Sequence, residues 1–293
     1  MAKNCNEQKQ NLGLTRCIAL PQMFAGMFTT PLGWKIPAAT ILQGDTAIKQ
    51  FIQDALLDPD PAKRIYLWPN FVGFEDAKED AVYEETPLAD LKVRDGKYRW
   101  RVQVQQDLCT HRAMGTHNGG NQAVVFIDIE NQLFGMDNAE GDFLGLTASL
   151  INVEKLIISD GSTSTRTPIY IVLKNSKQID KNGALLDADY IDELVRLTDV
   201  KYTVIGVPTG TTIVVTVVTK CDNTPVMGWV MDDFIKKAVD GTVQPIVSIA
   251  EVSGQYTLTG VGFTSGTVSS VGPDELSVEG FDGTSPVTVT ITP

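Results

Sequence analysis

Hydrophobic and polar positions alternate most clearly in the segment KYRWRVQVQQ, which covers residues 97–106. Tyr98, Trp100, Val102 and Val104 occupy every second position, and the positions between them are arginine or glutamine. Side chains of a β-strand point alternately to its two faces, so this pattern predicts a strand with one apolar and one polar face.

Helical spacing occurs in two segments. In DTAIKQFIQDALLDPDP (45–61) the apolar residues recur at intervals of three and four, which predicts a helix that begins near Asp45 and stops before Pro59. The segment ADYIDELVRL (188–197) has the same spacing through Ile191, Leu194 and Leu197 and predicts a second, shorter helix.

The remaining part of the first 200 residues predicts further strands and connections. Strand-like runs lie at 65–74, where Pro69 interrupts the pattern, at 122–131, and at about 150–158 and 167–174, with a flexible loop joining the last two. Residues 1–40 show little periodicity and predict an extended arm, and the acidic stretch 75–90 predicts a linker or loop.

After Val200 the chain changes to seven short β segments separated by Gly, Pro, Asp and Asn, which predicts an immunoglobulin-type β-sandwich. Trp229, Phe234 and Tyr256 are expected to fill its core. The fold class expected for the whole chain is mainly β with a few helices. Its expected parts are an extended N-terminal arm (1–40), a barrel-like β domain with short helices (41–205) and the sandwich (206–293).

Composition excludes several classes of protein. The 293 residues are 43% apolar with a formal net charge of −12 and no basic stripe, which argues against a nucleic-acid-binding surface. No run of about 20 apolar residues predicts a membrane span, and the polar start lacks a signal-peptide core. We therefore expect a chain folded in a cytoplasm with reduced thiols, although Cys5 and Cys17 are close enough to pair.

The stretch QDLCTHRAMGTHNGGNQ (106–122) collects both histidines and one cysteine, in the order Cys109, His111, His117. Their spacing matches no common zinc motif, and a Cys–His nucleophile would need an orienting third group. A structural interpretation explains more residues: Asp107 caps a short helix that ends at Gly115, and a turn leads into the next strand. A metal at these three residues remains the alternative.

Other candidate chemistry is weak. Carboxylates cluster at Glu84 with Glu85, at Asp232 with Asp233, and at 137–142, where a calcium site is conceivable but the EF-hand spacing is absent. No phosphate-binding loop or nucleophile motif is present. We therefore expect no catalytic residue, no cofactor and no metal, and interpret the chain as a structural or interaction protein rather than an enzyme.

Two regions resemble proteins of tailed-bacteriophage virions. The element order of 97–175, with a strand, a short helix, a turn and then strand pairs, resembles the barrel core of tail tube proteins. The segment 224–271, with Gly228, Asp233-Phe234, Asp240-Gly241 and the run from Tyr256 to Gly260, resembles the Ig-like modules appended to phage structural proteins.

The resemblance implies a virion protein, assembled in the host cytoplasm, whose copies form rings, usually hexameric, that stack into a conduit for DNA. Its implied partners are further copies, other virion proteins and DNA that passes without specific binding, and no membrane. The expected subunit interface comprises Tyr98, Arg99, Trp100, Arg101 and Val102. Alternatives are a capsid decoration or head-to-tail connector protein, and a carbohydrate- or cell-surface-binding module.

Overall fold

A computed structural model describes residues 21–85, 90–282 and 289–291. Strands make up 43% and helices 16% of the model, which confirms the mainly β fold class. The described residues divide into two compact units. Unit 1 contains those up to Leu56 and Ala62–Leu194, and unit 2 contains Leu57–Pro61 and those from Val195 onward.

Unit 1 contains thirteen strands and four short helices among its described residues. In chain order they are β1 (Phe24–Pro31), β2 (Lys35–Ile36), α1 (Ala38–Gln43), α2 (Asp45–Leu56), β3 (Tyr66–Leu67), β4 (Phe71–Asp76), β5 (Val82–Glu85), β6 (Asp90–Arg94), β7 (Arg99–Val104), α3 (Leu108–Gly115), β8 (Gln122–Asp128), β9 (Gln132–Asp137), β10 (Phe143–Leu144), β11 (Leu146–Val153), β12 (Thr167–Leu173), α4 (Lys177–Asp180) and β13 (Gly183–Asp187).

Eleven of these strands form one antiparallel sheet, in which β4, β7, β12, β11, β8 and β1 are successive neighbours. Strands β1 and β4 are at opposite ends of that path, yet Phe24 on β1 and Phe74 on β4 meet edge to face with ring centroids 5.3 Å apart. This contact shows that the sheet curls. The curled sheet therefore encloses a core. Among the described residues, strands β5 and β6 pair only with each other.

Two apolar cores lie on the two faces of the central strands. Phe126 and Val124 of β8 point into the enclosed core with Trp100 and Ile171, whereas Val125 of the same strand faces the second core. The second core is covered by α1 and α2, whose apolar side chains include Ile41, Ile48, Ile52 and Leu56. Burial on both faces explains why QAVVFID is apolar without alternation.

The expected N-terminal arm is wrong for the residues that the structure describes. Strand β1 lies within the sheet, paired along its length with β8, and Met27 and Phe28 are fully buried on its opposite faces. The run FAGMFTTP lacks alternation because both of its faces are covered, so it gave no period-2 signal. Residues 1–20 of the predicted arm lie outside the described residues.

Unit 2 consists of two four-stranded antiparallel sheets. Their orders are β14-β15-β19-β18 and β17-β16-β20-β21, with β14 (Val200–Ile205), β15 (Thr212–Thr219), β16 (Phe234–Lys237), β17 (Val243–Gln244), β18 (Ile246–Val252), β19 (Gln255–Gly260), β20 (Gly266–Ser270) and β21 (Val289–Ile291). One apolar core joins side chains of both sheets and contains Trp229, Phe234 and Tyr256 as predicted. A one-turn helix, α5 (Pro273–Leu276), follows β20.

Three sequence-based assignments need correction: a unit boundary, a helix and a strand. The two units meet in sequence at Leu194 and Val195 rather than at 205 and 206, because β14 pairs with β15 of unit 2. The helix expected at 188–197 is a single 3-10 turn, Ile191–Glu193, which follows β13. The segment PVMGWV (225–230), one of the seven β segments expected after Val200, is not a strand; its Val226 and Trp229 enter the core from an irregular connection.

Candidate assembly surfaces

Strand β7 confirms the alternation read from the sequence but not the interface expected there. Trp100 and Val102 are 5% and 0% exposed, and both pack in the enclosed core of their own chain. The Trp100 ring lies edge to face against Phe126 and Phe24, with centroids 4.8 and 5.4 Å away. These two side chains therefore cannot form a contact with another subunit.

The polar face of β7 is also engaged within the chain. Arg99 donates to Glu79 at 2.9 Å, and Arg101 pairs with Glu154 at 2.8 Å. Tyr98 donates its hydroxyl proton to Asp180 at 2.6 Å, and burial together with this bond raises the pKa of Tyr98 to about 12. The ion pairs expected between subunits are thus formed inside one copy.

A second candidate surface lies where the sequence indicated only a linker. Between β4 and β7 the chain forms the β5–β6 hairpin, which we call the arm (described residues 77–85 and 90–97). Tyr83, Leu91 and Val93 of the arm are 57%, 54% and 61% exposed. A two-stranded hairpin is at best marginally stable alone in water, and these apolar side chains are left exposed within the single chain.

Ion pairs attach the base of the arm to the sheet. Glu79 accepts from Arg94 of the arm and from Arg99 of β7. The hydrogen bond from Arg94 and the nearby positive charges lower the pKa of Glu79. The orientation of the arm is therefore set at its base, while its outer part carries exposed apolar and acidic side chains, including Glu84 and Glu85.

The strand registers show which end of the curled sheet carries the arm. Asp76, the last residue of β4, lies opposite Trp100, and Val172 near the end of β12 lies opposite Arg99. At the other end of β7, Val104 lies opposite both Phe71 and Thr167. The arm consequently projects from one end of the sheet, and the 154–166 loop and α3 lie at the opposite end.

This opposite end differs from the arm in charge. It exposes Arg112 and Lys155 together with Asp107 and Asp160, so its exposed charges balance, and it also exposes the apolar side chains of Leu108 and Ile158. The arm with its base, residues 75–97, has eight acidic and four basic side chains, a net charge of −4. An acidic, apolar projection and a surface with balanced exposed charges and apolar groups are thus placed at opposite ends of one unit.

The Cys109, His111 and His117 stretch forms no metal centre. Cys109 and Cys221 are both disulfide-bonded, which corrects the expectation of reduced thiols and removes Cys109 as a thiolate ligand or nucleophile. The Nδ1 atom of His111 lies 3.0 Å from the hydroxyl of Thr167. No group of three metal-ligating side chains occurs among the described residues, and the suggested Cys5–Cys17 pair lies outside them.

Asp107 and His117 have identifiable structural roles in the stretch 106–122. Asp107 caps α3 as predicted, accepting from the backbone N–H groups of Cys109 and Thr110 at 2.7 and 2.9 Å. After the helix, His117 packs edge to face on Tyr66 with centroids 4.6 Å apart, and its ring also contacts Trp68. Burial between these rings lowers the pKa of His117. Both roles are structural.

The carboxylate candidates likewise have structural roles. Asp142 pairs with Lys35 at 2.6 Å and accepts from the backbone of Ala38, and these bonds lower the pKa of Asp142 to about 2. Asp233 is buried and accepts from the backbone N–H of Val230 at 2.6 Å; burial raises its pKa. Glu84 and Glu85 lie exposed on the arm.

Unit 2 keeps its largest aromatic side chains inside. Tyr256 is fully buried, donates to the carbonyl of Val226 at 2.8 Å and accepts from the backbone N–H of Trp229 at 3.3 Å. Tyr202, Trp229, Phe234 and Phe263 are buried too. The described residues of unit 2 thus present no exposed aromatic platform of the kind that binds sugar rings.

Comparison of the sequence with protein-family models and with curated proteins finds no match. Among the described residues, no helix has the length and hydrophobicity to cross a bilayer.

Proposed function

We propose that this chain is a phage virion structural protein, a self-assembling tail-tube-like ring subunit whose stacked copies form a conduit for DNA. Self-assembly rests on the geometry of unit 1, and the assignment to a virion rests on the resemblance of 97–175 and 224–271. The protein acts by association and carries out no chemistry.

The observation that carries the proposal is the arm. Tyr83, Leu91 and Val93 are exposed on this hairpin, whose strands pair only with each other among the described residues. Apolar side chains on an isolated hairpin are expected to be covered by another surface. Because ion pairs of Glu79 fix the base of the arm, docking would have to order only the outer part of the hairpin. A smaller ordering cost leaves more of the contact energy for association.

The opposite end of unit 1 suits this arm as a docking surface. Leu108 and Ile158 are exposed there, so its apolar character suits the arm. The exposed charges of this end balance, Arg112 and Lys155 against Asp107 and Asp160, so it repels the acidic arm less than an acidic surface would. A contact between opposite ends of identical subunits is heterologous, and it builds rings where the rotation closes and filaments where it does not. Stacked rings combine both outcomes. The subunit interface is thereby moved from Tyr98–Val102 to the arm.

Unit 2 supports the resemblance to Ig-like modules. Its strands β14, β15, β19 and β18 form one sheet in the order of strands A, B, E and D of an immunoglobulin sandwich, and β16, β20 and β21 correspond to C, F and G. The net charge of −12 favours passage of DNA without binding to the protein.

A capsid decoration or connector protein is the second structural candidate, since it would use the same arm on a different virion component. The carbohydrate-binding alternative loses its main support, because Tyr202, Trp229 and Tyr256 are buried in the sandwich core.

Negative-stain electron microscopy of the purified chain, with its mass in solution measured alongside, tests the proposal. Rings or tubes with a central hole of duplex width are expected. A monomer that persists at high concentration would contradict self-stacking and favour a decoration protein that needs a template.

A further inference from the structure

One end of unit 2 exposes aliphatic side chains on three adjacent loops. These are the connections β14–β15, β16–β17 and β19–β20, and the exposed residues, which we call the valine tip, are Ile205, Val207, Val239, Val243 and Val261. Val207 and Val239 are 84% and 81% exposed, the highest values among large apolar side chains of the described residues. Such a concentration of exposed aliphatic groups marks a contact surface.

The three loops are bound to one another. The backbone N–H of Gly262 in the β19–β20 loop donates to the carbonyl of Gly210 in the β14–β15 loop at 3.0 Å. The buried Lys236 of β16 donates to the carbonyl of Ser265 at 2.6 Å, which ties the β19–β20 loop to the third connection. The valine tip is therefore a preordered surface, and docking on it costs little loop entropy.

Acidic residues are segregated away from this tip, whereas the exposed Lys237 lies at its edge, opposite Val243. From Val195 to the C-terminus the chain has ten acidic residues, and only Asp240 lies in the three tip loops. Strand directions put the others beyond the far end of the sandwich; β20 runs from the tip at Gly266 to Ser270, and Asp274, Glu275 and Glu279 follow it. Two copies of an acidic unit can thus meet at their tips with little repulsion between their carboxylates.

We infer that the valine tip binds the valine tip of a second copy, in a two-fold contact between the unit 2 domains of different subunits. A self-complementary patch of uncharged aliphatic groups is the surface that an isologous dimer uses. Five such side chains cover much less than the roughly 800 Å² per partner of a standard interface, so one tip contact is weak. It gains strength where assembly through the arm holds many tips close together.

This inference adds a second contact to the proposed self-assembly but does not depend on the arm, so the two can be tested apart. The test uses the full chain carrying Tyr83→Ser, Leu91→Ser and Val93→Ser, in which arm contacts are removed. Sedimentation velocity over a concentration series is then expected to show a reversible dimer. Adding Val207→Ser, Val239→Ser and Val261→Ser should raise its dissociation constant by at least about tenfold.

The matched control changes three exposed valines at the far end of unit 2, Val230→Ser, Val252→Ser and Val278→Ser, and should leave the dimer unchanged. Equal effects of the two triple variants, or no dimer at any concentration, would overturn the inference. Co-flotation of the arm-variant protein with phosphatidylcholine vesicles, lost on the tip substitutions, would also overturn it, because the occupant would then be a bilayer. Loss of rings in the arm variant alone would concern only the proposed function.

Discussion

Strand β7 and the β5–β6 arm are neighbours in sequence, and both are β structure, yet their apolar side chains differ in burial. Trp100 and Val102 of β7 are buried in the enclosed core, whereas Tyr83, Leu91 and Val93 of the arm are exposed. Among the described residues, the arm strands β5 and β6 pair only with each other, while β7 is flanked by β4 and β12. Trp100 and Val102 thus complete the fold of their own chain, whereas the exposed apolar residues of the arm are the surface that we propose a partner covers.

The largest effect is expected from Trp100→Ala. The indole contacts Phe24 and Phe126 inside the curled sheet, and removing a buried tryptophan leaves a cavity. The free energy of unfolding should fall by about 3–5 kcal/mol. Urea unfolding followed by circular dichroism measures this. A change below about 1 kcal/mol would mean that Trp100 is not a core residue and would return it to the interface.

The partly buried His117 should make the free energy of unfolding depend on pH. Burial lowers the pKa of His117 in the folded state, so the unfolded chain binds the proton more tightly. Stability from this residue is fully present above the unfolded pKa of about 6.5 and declines as the pH falls towards the folded pKa, by at most about 1.4 kcal/mol per pH unit. His117→Phe should flatten the profile between pH 7.5 and 5. A variant slope identical to that of the wild type would refute the role of His117.

A smaller effect is expected on the polar face of β7. The Arg101–Glu154 pair is partly exposed, and such pairs contribute about 0.2–1 kcal/mol. Arg101→Met should lower the free energy of unfolding within that range and leave assembly intact. If this substitution abolished assembly while folding stayed normal, the original assignment of Arg101 to a subunit contact would be restored.

The smallest effect on folding is expected in the arm. Tyr83→Ser, Leu91→Ser and Val93→Ser remove side chains that are more than half exposed, and the free energy of unfolding of the body should change by less than about 0.5 kcal/mol per substitution. The same urea titration checks this. A loss like that of Trp100→Ala would show that the arm packs on its own subunit.

The sequence predicts those elements whose signal is local. The alternation of β7, the stripe of α2 and the cap at Asp107 each lie within a few residues, and the structure confirms all three. Strand β1 and the central part of β8 lack alternation because Phe28 and Val125 face a second core, which only the tertiary fold creates. The apolar residues of the arm gave no signal of their own, because residues 75–97 include eight acidic side chains and such a composition indicates a solvated loop.

Trp100 and Val102 were assigned to a subunit contact for a related reason. Alternation shows that one face of a strand is covered but not whether the cover comes from the same chain. Trp100 could have packed in either place until the position of Phe24, 76 residues earlier, was known. Likewise, the valine tip draws on three loops spread over more than 50 residues, and no local pattern connects Val207 with Val261.

The central claim is that copies associate through the arm, and a mass measurement on matched variants tests it most directly. Light scattering would compare the wild type, the arm variant with its three serine substitutions, and a control carrying Leu42→Ser and Ile129→Ser, which alters apolar residues of unit 1 that are exposed outside the arm. The account predicts ring- or tube-sized particles for the wild type and the control, and species no larger than the weak tip dimer for the arm variant. Assemblies of equal size in all three proteins would contradict it.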